Sequence, residues 1–285
     1  MIRLDASTVL LQWATGGLLF LWVTTRRREV GIGYGWLLRG VYIVMAVGAA
    51  AAGEAGGHPS VARDIASAAT AAAATAALVV SVVRRRAGVA GQRARIEKRS
   101  ARVAAMTGID REVVTLDRTG PEFPPRLDAI APVIGAIGLL IAAHADGGPF
   151  VLALARTLIG AAFLGAVSDA MLLGHWYLVQ PGLGRKPLLE LVRWTAIMWP
   201  LEIGALLWPT GMVSVFTGAI DDGWGGTMAY FWGACAITTI VLCFVTRKAL
   251  DERAYSAVMA ATGLLYLAIL TAFGTDLVAR AVLTR

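Results

Sequence analysis

Two carboxylic acids stand in strongly apolar surroundings, Asp169 within GAVSDAMLLGHWYLV and Glu202 within WTAIMWPLEIGALLWP. A charge inside a hydrocarbon layer is expensive, so an ionisable side chain in an apolar span is a candidate functional group. Asp169 lies about ten residues, and Glu202 about eleven, from the same end of their apolar stretches. At the rise of an α-helix each is ~15 Å deep. Equal depth on consecutive antiparallel helices predicts two carboxyls able to share a cavity and pass a proton. The plainer reading makes each a neutral acid bonded to a neighbouring helix.

A second candidate is the string GHWYLVQPGLGRKP. His175 sits there beside Trp176 and Tyr177, with Arg185, Lys186 and Arg193 close along the chain. The aromatic pair suits a membrane interface. The histidine and the cations are expected to bind a ligand headgroup, and the Gly- and Pro-rich loop would let its backbone approach closely. The plain alternative is interfacial anchoring. Arg156 and Asp276, both near the outer face of their spans, are expected to form a structural ion pair.

Other chemistry is excluded by spacing. The three histidines, His58, His144 and His175, fall at different predicted depths, so no pair can clamp a haem and no metal set forms. Cys235 and Cys243 are eight residues apart in one apolar run, ~12 Å along a helix and beyond disulfide reach. GIGYG at 31–35 has no preceding strand and reads as a turn, not a dinucleotide fingerprint. Asp221 and Asp222 lie in a polar loop, where two carboxylates are ordinarily solvated and bind a hard cation only weakly. No nucleophile triad or Walker motif is present.

The elements that must position these groups follow from hydropathy. The chain has 285 residues, 57% hydrophobic and 16% charged. Apolar stretches of the ~20 residues needed to cross a bilayer occur near 6–24, 36–53, 62–83, 128–145, 149–179, 191–216, 227–246 and 254–279. The predicted fold is therefore an all-α polytopic membrane bundle of about eight helices. Arg3 and Asp5 precede the first span and Arg26, Arg27 and Arg28 follow it, the reverse of a signal peptide's charge order.

The loops after the first, third, fifth and seventh spans hold 19 of the 26 Lys and Arg residues, and the alternate loops hold none. This bias predicts that the basic loops are cytoplasmic and both termini lie outside, as in a bacterial-type inner membrane. It also accounts for the net charge of +7 without nucleic acid as a partner. The long basic loop between the third and fourth helices divides the chain into a three-helix part (1–83), a connector (84–127) and a five-helix part (128–285). Within the connector, 89–106 has Val89, Ile96 and Val103 at sevenfold spacing among arginines. It reads as a basic amphipathic helix on an anionic leaflet or a partner subunit.

These features suggest an integral membrane subunit of an electron-transfer or other energy-converting assembly. A quinone or lipid would sit between the fifth and sixth helices, and partner subunits would carry the redox centres. A proton-coupled transporter using Asp169 and Glu202, a lipid-modifying enzyme and a structural assembly protein are the alternatives.

Overall fold

In hydrocarbon every backbone N–H and C=O must be satisfied within the protein, and an α-helix does this inside one segment. The computed structural model describes residues 4–55, 60–108, 116–145, 148–180, 182–209, 211–252 and 254–284, and every regular element in them is helical. The helices are α1 (Ala6–Thr25), α2 (Ile32–Ala55), α3 (Val61–Val83), α4 (Ala90–Thr107), α5 (Ile130–Ala145), α6 (Phe150–Val179), α7 (Lys186–Leu207), α8 (Met212–Phe216), α9 (Thr227–Asp251) and α10 (Tyr255–Leu283). Short 3₁₀ turns at Arg84–Arg86 and Pro125–Ala129 end α3 and lead into α5. The protein is a polytopic helical bundle.

Among the described residues, seven helices are long and apolar enough to cross a membrane: α1, α2, α3, α5, α6, α9 and α10. The sixth predicted span differs in extent. It was expected over 191–216, but α7 starts at Lys186 and stops at Leu207, and α8 follows as a separate turn. Pro187 falls in the first helical turn, where a missing N–H costs nothing, so the helix begins before the apolar run does. Pro209 cannot continue it. At 22 residues α7 is shorter than α6 and α9, and it packs along both despite carrying Lys186, Glu190, Arg193 and Glu202.

α1 lies at the centre, against α2, α5 and α6. Its contact with α6 rests on glycine. A Cβ at Gly16 would overlap the Ala161 carbonyl, and one at Gly165 would overlap the Gly16 backbone. Small residues let two membrane helices touch backbone to backbone, where dispersion takes the place of the hydrophobic drive. The next residue, Gly17, makes room for the Tyr42 ring from α2.

Within the connector, α4 spans Ala90–Thr107, where the spacing of Val89, Ile96 and Val103 predicts a helix. Its start is tied to the ends of other helices: the Gly91 N–H donates to the Arg28 carbonyl at 2.9 Å and Arg95 donates to Gln180 at 2.8 Å. Lys98, Arg99 and Arg102 stay exposed. At the same end of the bundle a buried Arg39–Asp128 pair joins α2 to the turn before α5. The guanidinium donates two bonds, 2.8 and 2.7 Å, Thr25 adds a third donor to Asp128, and Arg39 stacks over Phe123.

Candidate functional site

Glu202, Asp276, Arg280, Arg156 and Gln12 meet in the interior, on α7, α10, α6 and α1, and each is almost wholly buried. Asp276 and Arg280 are one turn apart on α10, where residues four apart face the same way, and Arg280 Nε donates to Asp276 Oδ2 at 2.8 Å. Arg280 also donates to Gln12 Oε1. Arg156 Nε donates to the Ala205 carbonyl at 2.8 Å. That carbonyl is one an ordinary helix would bond to the N–H of residue 209, which is a proline, so a cation fills the vacancy at the negative end of α7.

The Glu202 and Asp276 carboxyls meet side by side, within the fields of Arg280 and Arg156. Neither Glu202 oxygen, nor Asp276 Oδ1, receives an N–H or O–H donor among the described residues. Two carboxyls in contact are two sets of acceptors, and a bond between them requires a proton on one. The space they share is opened by Gly160. A Cβ there would stand 3.1 Å from Asp276 Oδ1 and 3.5 Å from Glu202 Oε1, and closer still to Gln12 Nε2. Leu206, Met212, Val215, Trp232 and Ala279 form an apolar cluster beyond Glu202, so α8 closes this end of the bundle.

Asp169 belongs to a different centre. Tyr42 donates its hydroxyl to Asp169 Oδ1, and Tyr34 reaches the Asp169 carbonyl at 3.4 Å. Next to it Trp13 Nε1 donates to Ser168 at 2.8 Å. Asp169 and Glu202 therefore share no cavity. Gly160, which faces Glu202, is nine residues before Asp169 on α6. Nine residues are two and a half turns, ~13 Å along the axis and on the opposite side of the helix. Nor are the depths equal, because α7 starts five residues earlier than expected and Glu202 lies sixteen residues in.

The expected Arg156–Asp276 ion pair is likewise replaced. Asp276 takes the arginine on its own helix face, while Arg156 is drawn to the freed carbonyl of Ala205. The residues around His175 point in separate directions. Consecutive helical positions are 100° apart, so three neighbours cannot face one ligand. His175 is exposed, with its Nδ1 3.1 Å from the Tyr266 hydroxyl on α10. Trp176 turns toward Tyr34 and Gln180, and Tyr177 is buried and donates to the Gly184 carbonyl. Arg185 donates to the carbonyls of Leu250, Glu252 and Ala254, tying α7 to the loop between α9 and α10. Lys186 and Arg193 are exposed on α7.

No cluster of His, Cys, Asp or Glu able to hold a metal occurs among the described residues. His58 lies outside them. In the loop before α9, Asp222 is committed to backbone rather than to a cation. It accepts from the N–H groups of Trp224, Gly226 and Met228 at 2.8, 2.9 and 2.9 Å. These bonds, that of Gly226 foremost, hold its carboxyl below the usual carboxylate range. A carboxyl lowered in the folded state contributes stability that is complete well above its unfolded value of ~3.9 and is lost as pH falls through the folded value. Asp222→Ala should therefore lower the melting temperature at pH 7, and the gap to wild type should close progressively below about pH 4. A gap that persists undiminished at pH 3 would contradict this role.

Gln12, Arg280 and the Arg39–Asp128 pair were not singled out by the sequence pattern. Arg280 had a local signal, four residues after Asp276. Asp128 lies 89 residues from Arg39, a pairing no local spacing reports.

No protein family matches the chain, and no curated protein or solved structure is similar to it.

Proposed function

We propose that this chain is a proton-coupled membrane transporter in which the Glu202–Asp276 acid pair takes up and releases the coupling proton. The observation that carries this reading is the pair itself: two buried carboxyls side by side, with three acceptor oxygens that receive no N–H or hydroxyl donor from other residues among those described, beside a space opened by Gly160. An unpartnered carboxylate in a dry interior costs several kcal/mol. The pair therefore holds one proton between its two carboxyls, and the two arginines balance the two negative charges left when that proton leaves. α8 and the apolar cluster around it form the barrier on one side, and the tight α1–α6 contact forms a rigid wall on another.

Purified protein in liposomes with a trapped pH-sensitive dye tests this. Under an imposed pH gradient, at least one solute from a panel of amino acids, sugars and inorganic ions should move protons faster than in protein-free liposomes. Uniform failure across the panel, together with co-purifying redox subunits and a retained quinone, would replace this reading with the membrane subunit of an electron-transfer assembly. One observation favours that second reading. His175 and Tyr266 form a hydrogen-bonding pair on the outer surface of the bundle, within reach of a lipid-soluble carbonyl.

In either role the basic loops face the cytoplasm and both termini lie outside, following the arginine distribution. A reporter fused after residue 285 should be active only if it works outside the cytoplasm. Activity of a cytoplasm-only reporter at that position would reverse the orientation.

A further inference from the structure

An apolar groove of about 420 Å³ runs along the outside of the bundle between α1, α5 and α6. That volume falls within the range of pockets that hold a small-molecule ligand. Its walls are Leu19 and Trp22 from α1, Pro132, Val133 and Ala136 from α5, and Leu158 with Ala161 and Ala162 from α6. It forms because small residues stand where larger ones would meet: Gly16 and Ala161 bring α1 and α6 together at its floor.

One end of the groove is charged. On α1 the lining positions Thr15, Leu19 and Trp22 lead, four residues on, to Arg26 on the same face. Arg26 stands over the Trp22 ring, 5.7 Å from its centroid. On the opposite wall the turn Pro125–Ala129 is a 3₁₀ helix, in which residues three apart eclipse one another. Arg126 is therefore stacked above Ala129, the first lining residue of that wall. Arg126 is exposed and has no ion-pair partner among the described residues. Arg26 and Arg27 share the single acid Glu190, at 2.6 and 3.3 Å. Three cations and one anion thus leave the mouth with net positive charge, while the groove below it is almost wholly apolar.

We propose that this groove is a binding site for one anionic phospholipid, with an acyl chain along α1 and α5 and the phosphate between Arg26 and Arg126. Trp22 to Thr15 is seven residues, so ~10 Å of the chain is held. The arrangement selects charge at the mouth and length below it. A free anion has nothing to occupy the groove, and a zwitterionic lipid carries its own cation to the arginines. This site is independent of the acid pair and of any transport activity.

The test uses full-length protein reconstituted in bilayer discs of equal phosphatidylglycerol and phosphatidylcholine, then extracted in detergent, washed and analysed for bound lipid by native mass spectrometry. Wild type should keep one phosphatidylglycerol per chain in several-fold preference to phosphatidylcholine. Arg126→Ala should erase that preference while lipid is still bound. Ala136→Phe, which fills the groove, should lose both lipids. Equal retention of the two lipids by wild type, or retention untouched by both variants, would overturn the proposal. Should Ala136→Phe fail to fold, Arg126→Glu decides alone, since it alters only an exposed residue: an unchanged preference sinks the site. Efficient disulfide dimers of Val133→Cys in the bilayer would also overturn it, by showing a second copy in the groove.

Discussion

Glu202→Gln should reduce proton-coupled transport to the level of protein-free liposomes while leaving the bundle folded. Gln matches Glu in size, and its amide can donate to Asp276, so the bond that a shared proton provides is replaced. It cannot release that proton. The loss should therefore appear in flux, and the melting temperature should stay within a few degrees of wild type. Asp169→Asn makes the control. Asp169 accepts a hydroxyl from Tyr42, and an amide oxygen accepts the same bond, so transport should continue nearly unchanged. If the two variants behave alike, or if Asp169→Asn is the more damaging, the Glu202–Asp276 pair is not the proton site.

Arg280→Met should be the most destabilising single change in the interior. The guanidinium is fully buried and bonds both Asp276 and Gln12. Removing one partner of a buried ion pair strands the other, at about 3–5 kcal/mol. Against a typical total stability of ~5–15 kcal/mol, that is enough to deplete folded protein. Thermal unfolding in detergent, with the yield of monodisperse protein, measures the effect. The double replacement Arg280→Met with Asp276→Leu removes both charges and should recover much of the loss, because residues in one ion pair couple strongly. A melting temperature unchanged by Arg280→Met would mean that the pair contributes nothing to packing.

The elements were legible because the bilayer imposes them. Span length, apolar content and the alternation of basic loops are all local properties, and they located α1, α2, α3, α5, α6, α9 and α10 closely. The ends of α7 were less legible, because its first turn is Lys-Pro and its last is followed by Trp-Pro. Apolar content alone placed that start too late and ran past Leu207. The difference bears on the site: apolar content alone puts Glu202 level with Asp169, whereas Glu202 lies a further six residues from the basic end. Which buried acid meets which base was not legible at all. The partners of Glu202 come from three other helices spread over the chain, α1, α6 and α10. Only the Asp276–Arg280 spacing could have been read in advance.

If the acid pair is the proton site and α7 crosses the bilayer beside α6, proton binding there should be sensitive to voltage. Counted from the arginine-rich end, Glu202 lies sixteen of the twenty-one residue steps along α7, about three quarters of its length. A proton reaching it from that side crosses about three quarters of the transmembrane field, and one from the other side about a quarter. Moving a unit charge through a full 100 mV is worth ~2.3 kcal/mol, so the longer route carries ~1.7 kcal/mol and the shorter ~0.6. Occupancy of the pair should then shift by more than tenfold per 100 mV when protons enter from the arginine-rich side, and by roughly threefold from the other. The steepness of a current–voltage curve would reveal which door the proton uses.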